Sequence, residues 1–296
     1  KELNVQPKYS DFETHLEARN LFGTVKEFSQ FRANIKSSNK SQTEKPIINL
    51  KENFTKNGFV KSVSYYDTFG KTLQITKSFY DANDNLQKRI TKGENFPQNM
   101  VELIERDSIK KTEFRNIIIN DTLNFKFHST FGKFDRIEEQ TKIKNRDTTF
   151  VKYNYKFDLN NNLIQSEEIE KDHKTVNEYK YDENGNIVES INGTEYFKIK
   201  TIITYKDKRI TKSEYYNITA DLKQPLESVT VFDSYYNPIN KKTYHNSELN
   251  REIKNEYEYD NNGNWIKKTV YMKEHFAGSK KFIPIYIESR KIKYWE

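Results

Sequence analysis

Two stretches, Tyr181-Asp-Glu-Asn-Gly-Asn-Ile187 and Tyr259-Asp-Asn-Asn-Gly-Asn-Trp265, are nearly copies of one another, and Phe157-Asp-Leu-Asn-Asn-Asn-Leu163 is a looser third. Each ends an apolar-polar-apolar run such as Tyr179-Lys-Tyr181. Such alternation is the signature of a strand with one buried face. The Asp carboxylate can accept hydrogen bonds from amides a few residues on. Asn-Gly suits the two positive φ angles of a type I′ hairpin turn. With Asn-Gly as the central pair, Tyr181 faces Val188 and Lys180 faces Glu189, while Tyr259 faces Ile266 and Glu258 faces Lys267. Cross-strand pairs of this kind, aromatic with aliphatic and cation with carboxylate, stabilise antiparallel hairpins.

The unit recurs. The aromatics Phe157, Tyr181, Tyr205, Phe232 and Tyr259 are 24, 24, 27 and 27 residues apart, and each interval holds two strands. The motif turns therefore gather at one sheet edge. Variable loops such as 171–174, 192–193, 221–225 and 245–248 fall at the other, where recognition is expected. Similar runs fill the first half, from Phe59–Tyr66 to Arg136–Ile143. The prediction is an all-β antiparallel meander of roughly 14–18 strands, and open sheets beyond about ten strands curl. The expected form is thus a curled single sheet or partial barrel over 25–296, preceded by a lead-in segment, 1–24. One or two short helices are predicted. In the lead-in, Ser10 and Glu13 form a capping-box pattern with Phe12 and Leu16 on one face; Pro97–Arg106 offers Met100, Val101 and Ile104 after a first-turn proline.

Only 34% of residues are hydrophobic, but 20 Tyr and 20 Phe supply apolar area that a disordered chain would lack. A sheet buried on one face and wet on the other fits that balance. The net charge of +7 comes from 50 bases interleaved with 43 acids, which describes a solvated strand face before it describes a polyanion surface. With no cysteine there are no disulfides or thiolate sites. No apolar run approaches a membrane helix. The first residue is Lys, consistent with an N-terminal segment removed by processing.

The chemistry-bearing patterns are sparse, and no catalytic, cofactor-binding or metal-ligating residue is assigned. The histidines His15, His128, His173, His245 and His275 are far apart in the chain. Asp182–Asn186 and Asp260–Asn264 look superficially like calcium loops, but their Gly is at position 4 and position 12 is Gly193 or Tyr271. Turn chemistry explains every residue in them. Acid pairs such as Glu138-Glu139 and Glu167-Glu168 do not by themselves make the facing carboxylates of a glycosidase. Lysines alternating with aromatics suggest nucleic acid only if the aromatics are free, and here they fall on the face that needs burying.

Tyr181-Asp-Glu-Asn-Gly-Asn-Ile and Tyr259-Asp-Asn-Asn-Gly-Asn-Trp resemble YD repeats, the unit of the rearrangement-hot-spot family. Tyr66-Asp67, Tyr80-Asp81 and Phe232-Asp233 keep the aromatic-Asp pair, whereas Tyr205-Lys206 has lost the Asp. Together with Leu21-Phe-Gly-Thr-Val-Lys26, the pattern is similar to exported Gram-negative lipoproteins carrying degenerate copies of that repeat. The resemblance implies export to the periplasm or outer-membrane surface and is compatible with either a lipid anchor upstream or secretion. It implies no activity, because repeats carry architecture and sites are grafted on them. The leading expectation is a non-catalytic envelope protein that binds or scaffolds an unknown protein or glycan. The alternatives are a glycan-active enzyme with loop carboxylates and a polyanion-binding module.

Overall fold

The computed structural model describes Arg19 and residues 21–296, apart from 36–42, 95–98, 145–146, 208, 219–224, 276–277 and 279–280. Twenty strands run from β1 (Val25–Asn34) to β20 (Ile283–Tyr294), each antiparallel to its neighbours in sequence. The ring is complete. Phe28 of β1 faces Glu52 of β2 (Ile47–Phe54) on one side and Ile292 of β20 on the other. The expected partial barrel is therefore a closed one, with more strands than the hairpin count suggested. Closure removes both sheet edges, which otherwise present unpaired backbone groups.

The predicted helix at 97–106 is instead strand β6 (Asn99–Asp107). Met100, Glu102, Ile104 and Arg106 lie on one face and Val101, Leu103 and Glu105 on the other, laddered to β5 (Leu86–Gly93) and β7 (Thr112–Ile119). Residues 100, 101 and 104 suit a helical stripe too, but the neighbouring strands satisfy the backbone and decide the outcome. Pro97 and the expected helix of the lead-in fall outside the described residues, and no α-helix occurs among the described ones.

The motif turns form, though not as type I′. The Gly185 N–H donates to the Asp182 carbonyl (3.1 Å), and the Asp182 N–H donates to the Asn186 carbonyl (2.9 Å). Gly185 has φ +81°, whereas Asn184 is not among the positive-φ residues. This is a type I turn followed by a left-handed glycine, the usual longer hairpin connection. The extra residue is absorbed by a bulge, so Tyr181 faces Ile187 rather than Val188, and Tyr259 faces Trp265 rather than Ile266. Beyond the bulge the expected register holds. Lys180 pairs with Glu189 at 2.7 Å and Lys267 with Glu258 at 2.6 Å.

Turns at Asp81, Asp158, Asp182, Asp233 and Asp260 all follow even-numbered strands and so share one rim; Asp67 follows an odd one and sits at the opposite rim. A compact apolar cluster lies at the seam, where Leu21, Val25, Phe28, Phe54, Val60 and Val63 pack together.

Candidate functional site

The strand alternation assigns each side chain to the inside or the outside of the ring. One face carries Tyr153, Tyr155, Ser166, Asn177, Tyr179, Tyr181 and Asn192, from β10 (Asp147–Phe157) to β13 (Ile187–Gly193), and these residues line one concave recess of about 680 Å³. That face is the inner one. The ladder register places Glu102, Glu113, Glu52 and Glu288 on it as well.

Several tyrosines at the motif aromatic, or two residues before it, share one task. Tyr155, Tyr181 and Tyr205 donate their hydroxyls to the Ile137, Leu163 and Ile187 carbonyls, each 18 residues back, at 2.7, 2.7 and 3.0 Å. Tyr80 does the same to Val60. Each unit thus latches onto the strand that opens from the preceding motif-rim turn. The aspartate works within its own turn. Asp182 Oδ1 accepts the Asn184 and Asn186 backbone N–H groups, and its Oδ2 accepts the Asn186 side-chain amide. These bonds, the Asn186 amide first, hold the carboxyl below the ordinary carboxylate range. Both oxygens are engaged by N–H donors, so the calcium-like spacing is explained by the turn.

In the recess, the rings of Tyr153 and Tyr155 on β10 and of Tyr179 and Tyr181 on β12 (His173–Tyr181) flank the small Ser166 of β11 (Leu163–Glu170). The Asn177 amide donates to Ser166 Oγ (3.1 Å), and Asn192 lies across from Asn177. The result is an aromatic trough with amide and hydroxyl groups along its floor. It opens near the motif rim, away from the variable loops that the sequence nominated.

Elsewhere the inner face carries arginine over buried carboxylate. Glu102 meets Arg89 and Arg115, Glu113 meets Arg106 and Arg115, Glu52 meets Arg19, and Glu288 meets Arg32 and Lys268. The four glutamate side chains are at most 7% exposed, whereas Arg32, Arg89, Arg106 and Arg115 keep 36–52% of their side-chain surface open. Guanidinium groups that face inward and stay wet require water inside the ring, as expected where barrels exceed about sixteen strands. Arg290 is the exception. It stacks on the Trp265 ring at 3.6 Å with Phe28 on its other side, and burial pushes its pKa down to about 10.

The acid pairs singled out from the sequence are split by the strand geometry. Glu167 faces outward to Lys174 at 2.8 Å, while Glu168 faces inward to Lys142 at 3.7 Å. Neighbours on a strand point to opposite faces, so these two carboxylates do not face one another, although both border the recess. His128 stacks on Phe114 at 4.3 Å, His275 lies 3.6 Å from Glu252, and His15 is outside the described residues. Among the described residues, no group of three His, Asp or Glu side chains is placed to hold a metal ion.

Near the seam, Asn264 is fully buried. Its Oδ1 accepts the Phe22 N–H (2.7 Å), and its Nδ2 donates to the Phe22 carbonyl and to the Tyr294 hydroxyl, both at 2.8 Å. The segment ahead of β1 is thereby strapped across the last motif turn. Nothing in the sequence of Phe22 signals this; the only hint is that Asn264 repeats a motif position.

No family model matches the chain, and no curated protein does. Among solved structures, the chain is similar to a porin-like protein from Bacteroides uniformis at 10% identity and TM-score 0.35, over 92% of this chain and 98% of that one. It also overlaps TcdB2-TccC3 without its hypervariable C-terminal region, at 10% identity and TM-score 0.26, over 82% of this chain and 16% of that one. Overlaps this loose carry no functional inference. No helix among the described residues is long and apolar enough to cross a membrane.

Proposed function

We propose that the chain is a degenerate YD-repeat barrel that acts without catalysis at a Gram-negative envelope, binding an extended glycan in the tyrosine-walled trough. The observation that carries this reading is the trough itself. Aromatic rings from β10 and β12 line the recess, the kind of wall on which the C–H faces of sugars pack, while Ser166, Asn177 and Asn192 place polar groups along its floor.

The outer wall also bears on location. Lys180–Glu189–Lys200, Lys174–Glu167 and Lys254–Glu256 stand on the outer face of β11 to β18 (Glu248–Tyr259), where a bilayer-spanning barrel carries an apolar band. This barrel is therefore read as resting in water at the envelope rather than inserted in the bilayer. The test is calorimetric titration with soluble peptidoglycan and polysaccharide fragments. The double variant Tyr153→Ala/Tyr179→Ala is expected to lose at least tenfold in affinity while keeping a cooperative melt. Equal binding by both proteins would remove the trough from the reading, and hydrolysis of any fragment would end the non-catalytic one.

A further inference from the structure

The outer wall changes in character around the ring. Over β11–β20 many of its lysines, although not Lys198, Lys242 and Lys273 among the described residues, are matched with glutamates, as in Lys212–Glu214 and Lys267–Glu258. Over β4 (Thr72–Tyr80) to β10, including β8 (Leu123–Phe131) and β9 (Ile137–Lys144), they are not. Lys77, Lys88, Lys92 and Lys126 lie on this outer face and have no ion-pair partner among the described residues. The ladder registers interleave them with apolar side chains. One row runs Phe79, Lys88, Leu103, Asn116, Lys126, Ile143. A second runs Lys77, Ile90, Val101, Ile118, and a third runs Glu105, Phe114, His128, Thr141, Phe150. Glu105 is the single carboxylate in the three rows, and Asp107 and Glu139 lie beyond them on the same outer face. Phe79, Phe114 and Phe150 are 46, 54 and 72% exposed, and Leu103 and Ile75 are open too.

We propose that this third of the wall docks on an anionic lipid surface. A protein partner is disfavoured by the pattern, because interface cores concentrate apolar groups and deplete lysine. Here every exposed hydrophobe has a lysine within a strand or two. A second copy would set lysine against lysine. Alternating lysine and bulky apolar groups over a broad face is the design of an interfacial element, whose rings enter the acyl boundary while ammonium groups reach lipid phosphates. The docking is independent of the trough, which opens on the inner face.

Flotation of the purified full chain with phosphatidylcholine vesicles, with and without phosphatidylglycerol, tests it. Binding is expected only with the anionic lipid, falling with salt and by roughly fivefold per lysine in Lys77→Gln, Lys88→Gln and Lys126→Gln. Phe114→Ser/Phe150→Ser should also release the protein, while Lys254→Gln, from the paired half, should not. The proposal is overturned by absence of flotation, by triple-lysine and Phe114/Phe150 variants that float like the parent, or by capture on immobilised heparin without any on vesicles, which would make the face a polyanion-binding surface.

Discussion

The turns at Asp182–Asn186 and Asp260–Asn264 differ in sequence only at their second residue, yet they do different work. In the first, the Asn186 amide folds back onto Asp182, and the turn is complete in itself. In the second, Asn264 turns away from Asp260 and treats Phe22 as a strand would, accepting its N–H and donating to its carbonyl. The Tyr294 hydroxyl replaces the amide on Asp260. An Asx-type turn thus has one spare amide, and whether that amide closes the turn or holds a passing chain depends on what lies alongside.

The sharpest way to break the comparison is alanine at the two asparagines. Asn264→Ala strands the buried Phe22 backbone groups and should cost about 3–5 kcal/mol in chemical denaturation, whereas Asn186→Ala should cost about 1. Equal losses would mean that the strap is incidental. The glycines should separate next. A Cβ on Gly263 would stand 2.9 Å from the Tyr235 ring at φ +84°, so Gly263→Ala should lose about 2 kcal/mol and Gly185→Ala nearer 1. Acid should read the self-contained turn. The Asp182 pKa is depressed in the folded state, so the stability it contributes is present above the unfolded value of about 3.9 and is lost as pH falls through the lower folded value. Melting between about pH 5 and pH 2 should therefore fall less steeply in Asp182→Asn than in the parent. The smallest effect concerns the Asp233 turn, where Tyr236 holds the left-handed position at φ +62°. Tyr236→Gly should stabilise by up to about 1 kcal/mol, read as a raised denaturation midpoint.

Much of the wall was legible because its rules are local. Alternation assigned Tyr179 and Tyr181 to one face and Lys180 to the other, and the pairing of Lys180 with Glu189 followed from the turn. The turn type was misjudged because Asn-Gly serves both a type I′ turn and a type I turn with a left-handed glycine, and only the aspartate's grip on two amides selects between them. Closure was invisible, since nothing in the sequence of β1 names β20 as a partner. The trough was invisible for a related reason. Tyr153 and Tyr179 read as core positions, and it takes a ring too wide to fill for a core position to become a wall of a recess.

The seam has a consequence for how the molecule comes to be folded. Phe28 and Ile292 meet across 264 residues, whereas the hairpins meet across a handful. In an otherwise unfolded chain that contact would carry a loop-closure penalty of about 5 kcal/mol, against about 1–2 for a hairpin. The economical order is therefore hairpins first and neighbours stacking next, with the ring shut last. Until then two raw edges stand open, and β1, made first, must wait for β20, made last. The interval between them is when the chain is most prone to pair with the wrong edge, including that of another copy of itself. The strap at Asn264 lies beside that joint, where it favours the chain's own first strand over a stranger's.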